Sequence, residues 1–432
     1  MPEPTVPDTH AGDRPLLVLV SSFGRTSREY FLASVASRYR LWLFLGGPGR
    51  PAEPTWELSY IVGHTSLNTL DAAAMTVAAK RLDAQLRAQG AGGIAGMVSY
   101  DESRILATAA VAEALGLPTS PTEAIARCRD KYLTRQALAA AAVPQPAAVA
   151  VRSVEQASSA AARLGYPVVL KPRHLAASFG VTRADSAGEL AAAYSRALSV
   201  TLPEAPERFD DPVLIEEYLD GPEISVDSAC FDGRVVPLVV AHKETGFLPS
   251  FEEVGHVVDG ADPLVHDGHL QDVLTRAHRA VGFTTGITHV ELRRMADGFK
   301  VIEINARLGG DLIPYLGQLA HGVDLSLAAA AIACGRAPDL NPVTSRVAAV
   351  RFYYPDHDLT VADVRLEEDR LPAGVVQVDV LAAPGEYLKL PQRRTGWEGR
   401  LAQAVTLAGS EAECRAVLDA VADALMVVPA AH

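Results

Sequence analysis

Four cysteines in 432 residues, Cys128, Cys230, Cys334 and Cys414, lie far apart with no CxxC spacing. That scarcity gives no support to a zinc ribbon or a disulfide framework and leaves ordinary cytosolic thiols. Long apolar runs are also missing. Leu16 to Val20 is far shorter than a signal core or a membrane span, and the preceding MPEPTVPDTHAGDRP is Pro-rich and polar, as a frayed start would be. A cytoplasmic protein without a membrane partner is the expectation. Positive charge is short as well, with 39 Lys and Arg against 52 Asp and Glu for a net −13, so no basic surface is indicated for nucleic acid. An anionic ligand would need local cations or metal ions of its own.

The common nucleotide and hydrolase fingerprints are absent. GGPG at 46–49 lacks GxGxxG spacing and reads as a turn, and no GxxxxGK[ST], GxSxG, HExxH or paired Cys/His signature occurs. What the chain does have is ordered hydrophobic patterning. PLLVLVSS, RLWLFL and IAGMVSYDE read as strands, separated by helical SREYFLASVASRY and an alanine-rich helix around 70–90, with helical SRILATAAVAEALGLP following. That alternation predicts an open, mostly parallel sheet up to about residue 120. Beyond it the pattern turns to a helix and then to short strands, PVVLKP, VLIEEYL, EISVDSACF and VVPLVVAHK, with FDGR as a hairpin turn between the last two. A third change near residue 345 brings strand-like VAAVRFYYP, VVQVDVLAA and QAVTLAG, then a final helix EAECRAVLDAVADALM.

VIEINARLGG, residues 301–310, carries polar groups at alternate positions of an otherwise apolar strand. Side chains two apart share a face, so Glu303, Asn305 and Arg307 point one way and Ile302, Ile304 and Ala306 the other. ITHVELRRM is also strand-like and is joined to it by ADG, which predicts an antiparallel hairpin. A two-residue Asp297-Gly298 loop would set Glu291 against Ile304. A three-residue Ala296-Asp297-Gly298 loop, with Gly298 left-handed at a bulge, would set Glu291 against Glu303. Facing carboxylates repel unless a cation lies between them, and Mg²⁺, with its preference for hard oxygen ligands, is the natural ion. Asn305 is placed to serve a second ion, and Arg307 to hold a phosphoryl oxygen bidentately. The three-residue connection is the geometric condition for this assignment.

With the segments before it, this hairpin resembles the metal-binding core of the ATP-grasp superfamily, over roughly residues 10–430 in domain order and most sharply over 126–320. RDKYLTRQAL resembles the phosphate-contacting lysine segment, which implies that role for Lys131. YPVVLKPRHLAASFGV resembles the second lysine strand, with Lys171, and the phosphate-covering loop, where Ser178 and Gly180 stand in place of the usual several glycines. VLIEEYLDGPEISV resembles the adenine hinge, implying Glu216 and the backbone of Glu217 to Leu219 at the adenine and Glu223 at the ribose. VELRR and EINAR imply Glu291, Glu303 and Asn305 as metal ligands and Arg307 as the phosphate-stabilising arginine. The implied fold is α/β: a Rossmann-like N-terminal domain (1–122), an ATP-grasp lid or central subdomain (123–205), an ATP-grasp core with the metal and substrate sites (206–345) and a C-terminal α+β domain (346–432). The implied cofactors are ATP, as a substrate, and two Mg²⁺ ions, with Mn²⁺ a possible substitute.

Within the superfamily, SYDESRILATAAVAEALGLP, FEEVGHVV and NARLGGDLIPYL resemble the L-amino acid ligases that make dipeptides. The resemblance implies Glu253 and His256 beside the amino-acid pocket, His256 and Arg307 in catalysis, and backbone at Gly309 and Gly310 close to the substrate. It also implies amino-acid and amine substrates and a homodimer. Two alternatives stay open: an ATP-grasp enzyme acting on another carboxylate, bicarbonate or formate, and a nucleotide-binding module that does not catalyse.

Overall fold

The computed structural model describes residues 14–430 apart from 23, 206 and 394–398, so the Pro-rich start expected to fray lies outside the described residues. β1 (Leu16–Val20), β2 (Arg40–Leu45), β3 (Ile61–Ser66) and β4 (Ile94–Val98) form a parallel sheet in the order β3-β2-β1-β4. All five residues of β1 are buried, as covering on both faces requires of a parallel strand. The apolar pattern does not predict β3, because IVGHTS is only half-buried and its Gly63 packs against the ring of Trp42.

β5 (Ala148–Val151), β6 (Val168–Pro172), β7 (Thr182–Ala184) and β8 (Val213–Glu217) make a small antiparallel sheet in the order β5-β8-β6-β7. Its core includes the alanines of helix Val154–Leu164 and the apolar face of helix Ala187–Ser199. The remaining strands are β9 (Glu223–Phe231), β10 (Arg234–Gly246), β11 (Glu252–Asp259), β12 (Gly286–Met295), β13 (Gly298–Asn305), β14 (Val347–Tyr353), β15 (Leu359–Leu366), β16 (Val375–Val380), β17 (Tyr387–Leu388), β18 (Ala402–Ala408) and β19 (Leu425–Pro429). Eight of them form one sheet, β13-β12-β9-β10-β11-β14-β18-β16, so β14, β18 and β16 extend across residue 345 the sheet that carries β12 and β13. β17, β15 and β19 form a separate small sheet.

FDGR makes the expected two-residue hairpin: Phe231 pairs with Arg234, and Asp232 and Gly233 both take positive φ. The last helix stops sooner than its apolar periodicity suggests. It spans Glu411–Ala424, and the following LMVVP leaves as β19 to pair with β15. No single helix among the described residues is long and apolar enough to cross a membrane.

Helix Gly268–Val281 closes the core side of β12 and β13. Leu270, Val273, Leu274, Ala277 and Val281 form its apolar stripe, Asp267 caps its first turn by accepting from Leu270 N, and Gly282 ends it in the left-handed region. His278 on the same stripe is buried between the Leu274 carbonyl, 2.7 Å from Nδ1, and Thr288 Oγ1, 2.7 Å from Nε2. Burial lowers its pKa from 6.5 to about 4. Between those values the unfolded chain binds the proton and the folded one does not, so stability is complete above pH 6.5 and is lost as the pH falls toward 4. The loss from this one group is at most about 3 kcal/mol. Urea unfolding from pH 7 to pH 4 should show the midpoint falling, with a shallower fall in His278→Gln; the same fall in both proteins would contradict the assignment.

Candidate active site

β12 and β13 pair antiparallel with Glu291 opposite Glu303, the match that a shared cation needs. The route to it corrects the expected one. The connection is a two-residue turn, Ala296-Asp297, between paired Met295 and Gly298, and that register alone would set Glu291 against Ile302. A bulge absorbs Ile302 and restores the carboxylate pair. Burial follows the bulge: Val301 and Ile304, three residues apart, both join the core, while Ile302, expected on the core face, lines a cavity with Glu303 and Asn305. Gly298 is required all the same, at φ +129° and with a Cβ position 2.2 Å from the ring of His269.

That cavity, about 830 Å³, gathers most of the candidate nucleotide and metal residues. Lys131, Lys171, Ser178, Glu216, Glu217, Leu219 and Glu223 line it together with Glu253, Glu291, Glu303, Asn305 and Arg307. Gly180 is not among its lining residues; at φ +74° it packs on Pro172 at the base of the loop, where a Cβ would come within 2.8 Å. Lys131 opens helix Lys131–Ala140, whose first turn Asp130 caps, and its Nζ lies 3.2 Å from Glu303 Oε1 and donates to the Leu175 carbonyl. Lys171, on β6, lies 2.7 Å from Glu216, which also accepts from Arg135 Nε at 2.7 Å. Burial draws the Lys171 pKa below the ordinary lysine value. For Glu216 burial acts upward, but Arg135 and Lys171 outweigh it and hold the carboxyl below its usual range.

A second cavity, about 1250 Å³, opens from the same place. Both are lined by Leu175 to Ala177, Glu253, Glu291 and Arg307. Arg307, the predicted phosphate-holding arginine, donates its Nε to Glu102, just after β4, at 2.7 Å and an η nitrogen to the Leu308 carbonyl. Gly310 lines this second cavity, whereas Gly309 packs against His289 and Asp227 and gives its N–H to Asp227 at 3.0 Å. His256 is fully buried and lines neither cavity. Its Nε2 lies 3.2 Å from Glu253 and 3.5 Å from Asp311, so it reaches the cavity through those carboxylates. Burial lowers its basicity, but Asp311 and Glu253 more than reverse that, leaving the pKa raised.

Several further groups organise the site, and the motifs of the sequence single out none of them. Lys243 is buried amid three carboxylates, 2.9 Å from Glu223, 2.7 Å from Glu253 and 3.2 Å from Glu291. Burial alone would lower it, yet the three charges hold it well above the ordinary lysine value. His289 bridges Asp227, at 2.6 Å, and Glu291, at 3.6 Å; burial opposes its charge, but the two carboxylates push it up to about 9. Asp311 follows Gly310 at φ 49°, in left-handed backbone costing a non-glycine residue about 1 kcal/mol. Arg400 holds it bidentately at 2.8 and 3.0 Å. Apart from His289 and Glu291, two residues apart on β12, these partners lie far apart in the chain, which is why a pattern of neighbours does not reveal them.

The donor set suits magnesium. Glu291, Glu303 and Asn305 bring hard oxygen donors to one cavity, the ligand type Mg²⁺ takes, and the two opposed carboxylates each already have a lysine 3.2 Å away. Residues 164–315, which include this hairpin and the hinge, match the model of the ATP-grasp domain. A D-alanine–D-alanine ligase of Gloeobacter violaceus is 33% identical over 226 residues, covering 49% of this chain and 70% of that protein. The chain belongs to the ATP-grasp superfamily. Carnosine synthase 1 of Gallus gallus is 30% identical over 274 residues, 61% of this chain and 29% of that protein. The chain spans 29% to 60% of the length of the first curated relatives it matches. In fold, this ATP-grasp chain is similar to the crystal structure of an L-amino acid ligase from Bacillus licheniformis, with TM-score 0.77 and 20% identity over 97% of this chain and all of that one.

Proposed function

We propose that this ATP-grasp protein is an ATP-dependent carboxylate–amine ligase that activates an amino acid as an acyl phosphate and joins it to an amine, with another amino acid as the partner. The observation that carries the reading is the border shared by the two cavities. The lysine and metal-ligand candidates lie in the first, the amino-acid candidates Glu253 and Gly310 line the second, and Arg307 borders both. The likeness in fold to an L-amino acid ligase supports the same reading.

In the proposed reaction ATP fills the first cavity, with its phosphates toward Lys131, Lys171 and Arg307 and its adenine at the Glu216–Leu219 hinge. Glu291, Glu303 and Asn305 would hold two Mg²⁺ ions, whose charge would neutralise that of the phosphates. The donor carboxylate attacks the γ-phosphorus as the bond to ADP breaks. Arg307 holds the charge that develops on the phosphoryl oxygens. The amine nitrogen then attacks the acyl carbon, the bond from that carbon to the phosphate oxygen breaks, the proton lost from nitrogen passes to the departing phosphate, and an amide remains. Glu253 holds an ammonium at the shared border, and His256 keeps that carboxylate ionised and aimed. Closure of the loop around Ser178 to Val181 keeps water from the acyl phosphate. A homodimer working in the cytoplasm belongs to the same proposal.

ADP and phosphate release measured over amino acids, singly and in pairs, with mass analysis of the products, tests it. Release should require a carboxylate substrate, and a productive pair should yield a compound lighter by one water than the sum of the two. ATP binding without turnover on any pair would leave the ligase reading without support.

A further inference from the structure

The second cavity holds five arginines, and four of them already have carboxylate partners. Arg50 meets Asp101, Arg129 meets Glu207, Arg307 meets Glu102 and Arg400 meets Asp311. Arg28, from the helix at Arg25–Ala36, is different. No carboxylate of the described residues forms an ion pair with it, its Nε is buried without a hydrogen-bond acceptor, and its other polar contacts are a long 3.4 Å one from an η nitrogen to the Ser27 carbonyl and one with the Tyr30 hydroxyl. The guanidinium is also held in place, stacked 4.5 Å above the ring of Tyr100, a residue of the same cavity wall. A preorganised cation with unspent donors on a cavity wall is built to take an anion.

Its location says which anion. The carboxylate that becomes the acyl phosphate must lie at the border of the two cavities, beside Arg307 and Glu291. Arg28 lines only the second cavity. We infer that Arg28 is a specificity residue that binds a second, non-reacting carboxylate of the substrate pair; this rests on the ligase reading above. Such a carboxylate has two sources, the α-carboxylate of the amine-bearing amino acid or a side-chain carboxylate of the donor.

The test compares matched substrates in the wild type, Arg28→Gln and Arg28→Lys. One arm offers an acceptor amino acid and its carboxamide; the other offers a donor with a side-chain carboxylate and its amide. Loss of one charge-assisted contact should cut kcat/KM by about 10- to 100-fold. In Arg28→Gln the preference for acid over amide should fall by that factor in one arm only, and that arm identifies the source. Arg28→Lys should keep part of the preference, because it keeps the charge. An unchanged acid-to-amide ratio in both arms overturns the inference, as does an equal loss on acid and amide. Hydroxylamine added to the wild type separates this failure from that of the ligase reading. Hydroxamate formed with the donor alone shows that carboxylate activation stands by itself, and its absence with every donor removes both.

Discussion

Glu303→Gln should lower ligase turnover on the order of 10³-fold or more while leaving the chain folded, because a neutral amide replaces half of the carboxylate pair that is proposed to hold the metal. The side chain is close in shape, and the partner it loses, Lys131 at 3.2 Å, keeps its contact with the Leu175 carbonyl. Unfolding midpoints within a few degrees of the wild type are therefore expected beside the activity loss. The metal reading makes a further demand. Raising Mg²⁺ should recover part of the activity of the variant if the remaining Glu291 and Asn305 still bind the ion, whereas a merely structural Glu303 would leave the Mg²⁺ dependence as it is in the wild type. Turnover within tenfold of the wild type would remove Glu303 from the metal site.

Arg307→Lys is the second large effect, with an expected loss in kcat of about 10³-fold and a much smaller change in ATP affinity. Its basis is geometry. Arg307 borders both cavities and keeps its charge: burial opposes ionisation, but Glu102 and the nearby Glu303 and Glu291 hold the guanidinium firmly protonated. A lysine keeps one charge but not the planar fork that can grip a phosphoryl oxygen while remaining tied to Glu102. The fold should tolerate the change, since Glu102 lies within 3.6 Å of Arg129 as well. Kinetics with kcat and KM separated distinguish the outcomes: a rise confined to KM for ATP would make Arg307 a ground-state nucleotide contact, not a group that stabilises the transferring phosphoryl.

Much of the architecture is legible because strands buried on both faces announce themselves, as PLLVLVSS and RLWLFL do, and because Asp232-Gly233 dictates its turn. β3 and β19 are hidden for the opposite reason: they are half-buried, and β19 continues an apolar helical pattern without a break. The hairpin at the site is more instructive. Alternation puts Glu303 and Asn305 on one face, but the pairing of Glu303 with Glu291 is expected from a three-residue turn with its irregularity at Gly298; the turn has two residues, and the pairing survives because the irregularity lies at Ile302, four residues into the strand. Both devices shift the register by one, so the sequence alone does not tell them apart, and only the exposure of Ile302 does. Lys243, His289, Glu102, Asp311 and Arg400 were illegible because each acquires its meaning from a partner supplied by another strand or domain. A weak signal existed for Lys243 alone: a lysine directly after the apolar VVPLVVAH run of the same strand invites the question of what would compensate its burial.

The central claim is that the reaction passes through an acyl phosphate formed where the two cavities meet, and isotope transfer tests it most directly. With a donor amino acid carrying ¹⁸O in both carboxylate oxygens, the phosphate released during ligation should contain one ¹⁸O and the amide product should retain the other. Phosphate free of label during product formation would contradict the account.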